Sequence, residues 1–495
     1  MEHAKLPLEM PETKKDEGPV TCLGMTFEND QERREYFTEI LRQKLPELKK
    51  IEGYPIGEDE DILALSDPPY YTACPNPFIS DFITEWEQEK RKHFGGGEDD
   101  YHREPFAADV SEGKNDPLYK AHSYHTKVPP KAVVRYLLHY TEPGDIVYDG
   151  FAGTGMTGVA CQLCADRETI LSLGYNIDGD KIRDDENNEI SHLGLRRAIV
   201  NDLSPAASFI SYGFNTTSDI ERFESESKDI LQQIEDEWGW VYCTLKKENS
   251  AHARRFASQL KNMEEPTRIK DLIRQEAHAF GRINYIIWSD VFLCPDCSCE
   301  IVFWEEASTG SSKKNPSRNQ ITCPGCQADL SKNDLDRAWS SDYDYSLNQV
   351  VKQVRRKPVL INYFVGKKRY NKEPDELDLE LINRIDRIEI PYWFPTEQVP
   401  RGDKTSEPIR LGLTHSHHFY TKRNLLILSA LWSQSQASKL FKMAITSILV
   451  KTASLLHNVG IKGGKINLAG ALPNALYVPS NLAERNLLIL VRGKI

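Results

Sequence analysis

The chain has 495 residues, 39% of them hydrophobic, so it is long enough for two to four domains that each bury a core. No apolar run approaches the roughly 20 residues of a membrane helix, and the first residues lack an apolar signal region, so we expect a soluble, cytoplasmic protein without a membrane partner. The net charge is −12, but residues 1–120 hold 28 acidic and 15 basic residues, so the rest is nearly neutral and nucleic acid is not excluded as a partner.

The first part of the chain predicts one helix, one strand and a linker. Residues 1–30 are rich in Pro, Glu and Lys and are expected to form a poorly ordered lead-in to a helix over 31–45. A short apolar run at 62–65 ends in a polar turn with two prolines, which predicts a buried strand followed by an exposed loop. The segment FGGGEDDY, over 94–101, is typical of a flexible linker.

From residue 122 the pattern alternates between helix and strand. VVRYLLHYT is helical, DIVYDG is a strand, and MTGVACQLCAD is a helix that follows a glycine turn. A polar insert, NIDGDKIRDDENNE, precedes another apolar strand in RRAIVNDLSP and a helix from Ala206. The alternation predicts an α/β unit with a parallel sheet, and the charge-rich segment 217–290 that follows has helical spacing.

The glycine turn is a candidate ligand-binding loop. Its candidate contacts are Asp149, Phe151, Gly153, Thr154 and Gly155. Glycines between a strand and a helix let the backbone approach a ligand, and the helix N-terminus offers unpaired N–H groups. Asp202, at the end of the next predicted strand, could accept both hydroxyls of a ribose. The alternatives are a turn chosen for packing and a solvated strand-end carboxylate, because a G-x-G-x-x-G pattern alone is weak.

A second candidate site is Asp67-Pro68-Pro69-Tyr70. Two successive prolines fix the backbone, so the Asp67 carboxylate and the Pro68 carbonyl can be held side by side as acceptors. Two acceptors that grip an exocyclic amino group of adenine or cytosine would favour a pyramidal, nucleophilic nitrogen in the transition state. Tyr70 would stack on the base once it is flipped out of the duplex. The alternative is a proline-stiffened turn with an incidental Asp and Tyr.

Together the two motifs resemble those of the amino-methylating DNA methyltransferases, whose members place (D/N/S)PPY beside a D-x-F-x-G-x-G cofactor loop. The motif order is similar to that of the β group, and the zinc-ribbon-containing bacterial adenine-specific DNA methylases look most similar. In the family an H-x-T-x-K-P segment precedes the cofactor loop and contacts the methionine end of the cofactor. Its shortened counterpart, which starts at His125, makes Thr126 and Lys127 cofactor candidates.

The resemblance, which covers about 62–215, implies a fold and an activity. The fold is α/β, a Rossmann-like S-adenosylmethionine-dependent sheet with an inserted zinc ribbon and a mixed α+β C-terminal region. The activity is site-specific methylation of N6 of adenine, with double-stranded DNA as the partner and the target base flipped, as in restriction-modification. N4 of cytosine, or RNA, remains an alternative target. A nicotinamide-dependent oxidoreductase that uses the same glycines is a further alternative.

One departure from the family concerns length. Only about 50 residues separate Tyr70 from His122, too few for the remaining strands and a target-recognition domain. We expect those strands after residue 330 or beyond residue 495, because the sequence ends in an apolar run. A methyltransferase-like DNA-binding subunit that needs a partner, or a place in a restriction or defence system, therefore stays open.

Four of the ten cysteines form two Cys-x-x-Cys pairs 25 residues apart. They are Cys294, Cys297, Cys323 and Cys326. Four thiolates close a tetrahedral shell and leave no position for a catalytic water, which predicts a structural Zn²⁺. The alternative, a redox pair, does not explain why there are two pairs at this spacing.

The segment after the cysteines mixes basic and aromatic residues, which suits phosphate contact and base stacking. The clearest examples are around Arg355 and Arg356, at 367–370, and in GLTHSHHFYTKRN, which includes Arg423. Ordinary solvated surface is the alternative. The organisation predicted from these features is a lead-in (1–30), a DPPY segment (31–120), a cofactor unit (121–216), a helical region (217–290), a zinc ribbon (291–330) and a DNA-recognition region (331–495).

Overall fold

The computed structural model describes residues 18–51, 54–94, 101–124, 127–263, 265–308, 320–435, 438–462, 465–472 and 475–495. The chain divides into two compact units, Met1–Arg103 and Glu104–Ile495. Across these described ranges, no helix has both the length and the apolar character that a membrane span requires. Residues 1–17 of the predicted lead-in and most of the linker predicted for 94–101 lie outside the described residues. The poorly ordered lead-in predicted for 1–30 is wrong over 20–27, because these residues form a hairpin that buries Cys22 and Phe27.

The first unit combines a hairpin with three helices. Its elements are β1 (Val20–Cys22), β2 (Met25–Phe27), α1 (Asp30–Leu48), α2 (Asp59–Ala64) and α3 (Ile79–Phe94). Helix α1 begins where the side chain of Asn29 accepts the N–H of Glu32. It buries Phe37, Leu41 and Leu45 at helical spacing in the core of this unit. The helix predicted over 31–45 is confirmed.

The strand predicted at 62–65 is wrong. These residues belong to helix α2, and Ile62 and Leu63 pack into the same core as α1. An apolar run of four residues is too short for its periodicity to distinguish a helix from a strand. The DPPY motif therefore follows a helix, and no strand of a sheet leads into it.

The second unit begins with a mixed α/β segment. Its elements are α4 (Pro117–Ala121), α5 (Pro130–Tyr140), β3 (Ile146–Asp149), α6 (Met156–Leu163), α7 (Arg167–Ser172), β4 (Asn176–Asp178), β5 (Lys181–Arg183), β6 (Glu189–His192), β7 (Arg197–Val200) and α8 (Pro205–Asn215). Strands β3 and β7 pair in parallel, with Asp149 opposite Val200. The helices and strands predicted around the glycine turn are confirmed, and the polar insert forms the antiparallel sheet β4–β5–β6.

The parallel sheet has two strands in the part of the chain that the structure describes. The side chains of Ile146, Tyr148 and Ile199 alternate along these strands and are exposed. A mixed α/β fold is thus established, whereas a complete Rossmann-like sheet stays a prediction.

The remainder of the second unit is built on a large antiparallel sheet. Its strands and helices are α9 (Ile220–Trp238), β8 (Cys243–Leu245), α10 (Ala253–Lys261), α11 (Pro266–Gln275), β9 (Phe280–Leu293), β10 (Glu300–Val302), α12 (Phe303–Ser308), β11 (Gln320–Thr322), β12 (Asp329–Ser331), β13 (Asp336–Arg337), β14 (Trp339–Asp344), β15 (Gln349–Val354), β16 (Arg356–Val365), β17 (Lys368–Lys372), α13 (Glu376–Asp386), α14 (Ser406–Arg410), α15 (Lys422–Gln434), α16 (Lys439–Thr446), β18 (Asn458–Lys462), β19 (Lys465–Gly470), β20 (Asn481–Arg485) and α17 (Leu487–Arg492). Short 3₁₀ turns cover Gly239–Tyr242, Lys247–His252, Ala277–Ala279, Lys332–Asp334 and Ser416–Phe419, and a π-helical turn covers Leu449–Ala453.

Strand β9, with 14 residues, organises this sheet. It pairs with β16 on one side and β20 on the other, and its ends also pair with β8, β10 and β13. The helical region predicted over 217–290 contains α9, α10 and α11, but the prediction is wrong at strand β8 and from Phe280 onward, where β9 begins. Both faces of β9 are covered, so buried residues follow one another along the strand without the alternation that marks a half-exposed strand.

Candidate functional site

Residues 66–71 form a closed loop, here called the acceptor loop. The backbone N–H of Asp67 donates to the Tyr71 carbonyl at 2.9 Å, and the Tyr71 N–H donates to the Asp67 carbonyl at 3.0 Å. The side chain of Asn76 donates to the Pro69 carbonyl at 2.9 Å. These bonds hold the two prolines buried and leave Tyr70 exposed.

One buried guanidinium bridges the two predicted acceptors. Nη1 of Arg33 donates to the Pro68 carbonyl oxygen at 2.6 Å, and Nη2 donates to Oδ1 of Asp67 at 3.0 Å. Nε and Nη2 of Arg33 also donate to Oδ1 of Asp30, at 2.9 and 2.7 Å. A second arginine, Arg34, places Nε 3.2 Å from Oδ1 of Asp67. The carboxylate and the carbonyl therefore face the same donor group.

The sequence interpretation missed Arg33, although a signal was present. Arg33 precedes Phe37 and Leu41 at intervals of four residues, which places it on the buried face of α1. Only 1% of its surface is exposed. A charged residue on the apolar face of a helix requires partners, and here the acceptor loop supplies them.

Tyr70 starts a short stack of aromatic rings. Its ring lies 5.9 Å from that of Phe82, which lies 5.7 Å from that of Trp86, with interplanar angles of 27° and 28°. The guanidinium of Arg33 lies 4.8 Å from the centroid of Tyr70. A hydrogen bond with Cys22, together with burial, raises the pKa of Tyr70 to about 12. The neutral ring is 52% exposed and follows Asp67 by three residues, so it can contact a further ring.

The glycine loop, residues 149–155, connects β3 to α6 in the second unit. Oδ1 of Asp149 accepts the N–H of Phe151 at 3.1 Å, and Oδ2 accepts the hydroxyl of Thr157 at 2.6 Å. Oδ2 of Asp202, which follows β7, accepts the N–H of Gly153 at 2.8 Å. Because β3 and β7 are parallel neighbours, both carboxylates lie at the carboxyl edge of the sheet.

The surroundings of the glycine loop suit a bound nucleoside-like group. Phe151 and Leu203 follow these two strands and are 92% and 95% exposed, so they offer apolar surface at the same edge. The hydroxyl of Thr154 is buried without a hydrogen-bond partner among the described residues. A buried hydroxyl without a partner costs about 1–3 kcal/mol, so it is a polar group that a ligand could satisfy.

Gly155 and Gly158 are required by helix packing. Gly155 has φ of +73°, and a Cβ built on it would lie 2.1 Å from Oγ of Ser211 in α8. A Cβ on Gly158 would lie 2.3 Å from Oδ1 of Asn215. The Asn215 amide in turn donates to the Gly155 carbonyl at 3.0 Å. The packing alternative thus accounts for these two glycines, and the ligand role of Gly155 stays a prediction.

Lys127 lies in the second unit, and Thr126 lies outside the described residues. The Lys127 ammonium donates to the carbonyl of His122 and lies 4.5 Å from the centroid of Tyr119. Burial, followed by the charges of Lys494 and Lys451, lowers the pKa of Lys127 to about 8. The predicted contact of Lys127 with a cofactor stays a prediction.

The four knuckle cysteines converge as the sequence predicts. Sγ of Cys294 lies 3.7 Å from Sγ of Cys326, and Sγ of Cys297 lies 3.6 Å from Sγ of Cys323. Four sulfurs at a Zn–S distance of about 2.3 Å in a tetrahedron are about 3.8 Å apart, so the cluster is compatible with zinc.

The two knuckles share one turn geometry. Ser298 and Gln327, each directly after the second cysteine of its pair, have φ of +59° and +63°. Their N–H groups donate to the carbonyls of Cys294 and Cys323, both at 2.9 Å. The backbone N–H of Cys326 is the main group that lowers the pKa of Cys323, to about 6. The repeated turn orients both pairs toward the same point.

Two arginines from the predicted DNA-recognition region form ion pairs with little exposure to solvent. Arg423 is 4% exposed, and its Nη1 lies 2.6 Å from Oε2 of Glu484. Arg356 places Nε 2.9 Å from Oδ1 of Asp290. The interpretation of these two arginines as ordinary solvated surface residues is wrong. Their carboxylate partners, Asp290 and Glu484, lie on strands that are distant in sequence.

Comparison with known proteins finds a family match for the part of the chain that contains both loops. Residues 15–185 match a family model described as DNA methylase, N6_N4_Mtase. This segment is similar to the amino-methylating DNA methyltransferases. No curated protein and no solved structure matches the chain.

The methyltransferase segment contains the acceptor loop of the first unit and the glycine loop of the second, and it ends before Asp202. The family supports S-adenosylmethionine-dependent methylation of amino groups in DNA. The match does not distinguish N6 of adenine from N4 of cytosine. The resemblance based on DPPY and the glycine turn is confirmed.

Proposed function

We propose that this protein is a site-specific DNA methyltransferase that modifies N6 of adenine. The observation that carries the proposal is the pair of acceptors in the acceptor loop. Oδ1 of Asp67 and the carbonyl oxygen of Pro68 are bridged by one planar donor, Arg33. An exocyclic amino group is also a planar donor with two N–H bonds, so the same pair suits it.

The two acceptors would act by changing the geometry of the amino nitrogen and so its nucleophilicity. The lone pair of an exocyclic amine is delocalised into the base, which makes the nitrogen a poor nucleophile. Acceptors that hold both hydrogens favour the pyramidal geometry that develops as the N–C bond forms, so they stabilise the transition state more than the ground state. The amine loses its proton after transfer, and Asp67 is the group in the loop that can accept it.

Arg33 and the base can share these acceptors. Both ion pairs of Asp67 that involve arginine use Oδ1, so Oδ2 is the oxygen available to the base among the described residues. The Pro68 carbonyl has a second lone pair. Arg33 then acts as a positioning residue that fixes both acceptors, and Tyr70 stacks on the flipped base at the end of the Phe82 and Trp86 stack.

The glycine loop would hold the cofactor. S-adenosylmethionine, when bound, supplies an electrophilic methyl group on a sulfonium. Asp202, which accepts the N–H of Gly153, would also accept the ribose hydroxyls. Phe151 would pack on the adenine ring. Asp149, Thr154 and the backbone at Gly155 complete the proposed contacts, with Thr126 and Lys127 toward the methionine end. The four cysteines would hold a structural Zn²⁺, and residues 331–495 would contact DNA.

Mapping of modified bases tests the proposal. The chain is expressed in a bacterial host stripped of its own DNA methylases, and its genome is sequenced with long reads. We expect N6-methyladenine at one motif, absent with Asp67→Ala and present with Asp81→Ala, a control on helix α3. N4-methylcytosine at one motif would overturn the adenine assignment, and methylation that survives Asp67→Ala would overturn the catalytic role of Asp67.

A second candidate function is a cofactor-binding subunit that needs a partner. The exposed apolar side chains of Ile146, Tyr148 and Ile199 on the two-stranded parallel sheet favour it, because such a face is normally covered. S-adenosylmethionine binding by the purified chain without methyl transfer would support this candidate over the first.

A further inference from the structure

A cavity of about 660 Å³ in the second unit contains chemistry that the proposed function does not use. It is lined by the hairpin β14–β15, helix α13 and the 3₁₀ turn Ser416–Phe419. Asp344, His417 and His418 are among its lining residues. No Cys or carboxylate lies near these histidines in the sequence. The carboxylate comes from a position 73 residues before His417.

The three side chains converge on one point. Nε2 of His417 and Nε2 of His418 lie 2.7 and 3.0 Å from Oδ2 of Asp344. The other carboxylate oxygen, Oδ1, accepts the backbone N–H groups of Ser346 and Leu347 at 2.9 and 3.2 Å. The turn after β14 therefore fixes Asp344 so that Oδ2 faces both imidazoles. Two nitrogens and one oxygen within 4.8 Å of one another form a compact donor set.

The cluster is buried but not fully satisfied. His417 and His418 are 7% and 5% exposed. Nδ1 of His417 has no hydrogen-bond partner in the described ranges. Polar atoms that are buried in a protein core are nearly always paired, so this imidazole nitrogen is an exception.

We infer that Asp344, His417 and His418 bind one divalent transition-metal ion, such as Zn²⁺ or Co²⁺, whose remaining coordination positions face the cavity. Two imidazoles and one carboxylate suit such ions, and three protein ligands leave at least one position open. His418 can adopt the tautomer with hydrogen on Nδ1, because Oγ1 of Thr414 lies 3.4 Å from Nδ1 and can accept a hydrogen bond from it. The Thr414 N–H, 3.3 Å from the same nitrogen, donates to it before the metal binds. The inference does not depend on the proposed methyl transfer.

The cavity also indicates what the open positions bind. Arg355, Arg356 and Arg423 line it, and each has a buried N–H without a partner among the described residues. Unpaired guanidinium N–H groups beside a metal suit an oxyanion, whose oxygens can bind the ion and accept those hydrogens together. The expected ligand class is therefore a phosphate-like oxyanion, and inorganic phosphate is the probe.

Titration of the metal-free full-length chain with Co²⁺ tests the inference, because Co²⁺ reports its ligands through its absorption bands. We expect two ions per chain. The four cysteines should give intense thiolate charge-transfer bands, and the second site should give weak visible bands of nitrogen and oxygen ligands. Inorganic phosphate should shift only the second set.

The variants Asp344→Asn and His418→Gln should bind one ion and keep the thiolate bands, which shows that each variant is folded around its cysteines. His415→Gln is the matched control, because it removes a neighbouring imidazole that is not one of the three ligands, and it should bind two ions. Binding of a single ion by the unmodified chain, or of two ions by Asp344→Asn, would overturn the metal site. Weak bands that phosphate does not shift would overturn the oxyanion ligand.

Discussion

Arg33 shows how much of the acceptor loop depends on one side chain. It is buried on the apolar face of α1 and donates to Asp30, Asp67 and the Pro68 carbonyl. Its charge is compensated only by groups in the loop and at the start of the helix, so loop and helix stabilise each other. Arg34, one residue on, contacts the same Asp67 oxygen from a side chain that is 48% exposed.

Replacement of each arginine by methionine should therefore have different effects on the free energy of unfolding. We expect Arg33→Met to lower the free energy of unfolding of the first unit by about 1–3 kcal/mol, because it leaves the Pro68 carbonyl without its buried donor. Arg34→Met should cost at most about 1 kcal/mol, since water screens an exposed pair. Hydrogen exchange of α1 in the full chain measures both, and equal effects would contradict this account of the loop.

Gly155 is required by its conformation and by the close approach of α8. We expect Gly155→Ala to cost about 2–4 kcal/mol, since it adds left-handed strain to a clash with Ser211. Gly174→Ala is the matched control, because Gly174 has φ of +86° with nothing within 4 Å of its Cβ position. It should cost only about 1–2 kcal/mol of strain. Thermal unfolding compares the two, and indistinguishable losses would exclude packing as the reason for Gly155.

Among the elements, the knuckles are the feature that the sequence predicts most completely. The spacing of the cysteines determines both the cluster and the turns, because each Cys-x-x-Cys pair contains all the residues of its own turn. Around the cluster, Phe292, Ile301, Ile321 and Leu335 form a small core of their own. A core of this size depends on the metal for much of its stability.

Chelation should therefore unfold this subdomain alone. We expect a strong chelator, or Cys297→Ser, to remove hydrogen-exchange protection from β10, β11 and β12 while α1 keeps its protection. Cys299→Ser should leave protection and metal content unchanged, because Cys299 is adjacent to the cluster but is not one of its four ligands. Protection that survives loss of the metal would show that the small core folds without it.

Other elements are less predictable, for identifiable reasons. The glycine-turn strand and helices are predicted correctly because breakers and periodic apolar residues bound them. Ile62 and Leu63 were misassigned because four apolar residues fit either a helix or a strand. Strand β9 was missed because burial on both faces removes the alternation that signals a strand. Arg33 and Asp344 were missed because their partners come from other parts of the chain.

At the scale of the whole molecule, the antiparallel sheet holds buried ionisable groups. Glu484 and Asp290 lie in it, each paired with an arginine, and His457 lies at its edge, 1% exposed. Burial lowers the pKa of His457 to about 4, even though its Nδ1 donates to the carbonyl of Thr452. The folded protein therefore holds this imidazole neutral.

His457 should make stability fall in mild acid. Its pKa is about 6.5 in the unfolded chain and about 4 when folded, so the unfolded state binds the extra proton between these values. Its contribution is fully present above pH 6.5 and is lost as the pH falls toward 4, by about 2 kcal/mol at pH 5. Denaturant unfolding measures the free energy of unfolding at pH 7 and at pH 5. We expect the difference between the two values to be smaller for His457→Gln than for the unmodified chain. His252→Gln, at an exposed histidine, should behave like the unmodified chain.

The central claim is that Asp67 of the acceptor loop activates an exocyclic amine. Its most direct test is transfer of a labelled methyl group from S-adenosylmethionine to duplex DNA by the purified chain, followed by mass spectrometry of the nucleosides. Asp30→Asn is the matched control for Asp67→Asn, because both carboxylates bind Arg33 but only Asp67 belongs to the motif.

We expect N6-methyl-2′-deoxyadenosine from the unmodified chain and from Asp30→Asn. Asp67→Asn should be at least about 100-fold slower, as for loss of a positioned transition-state group, while its S-adenosylmethionine binding stays intact. Equal loss of activity in both variants would mean that Asp67 only anchors Arg33. Full activity of Asp67→Asn would contradict the account.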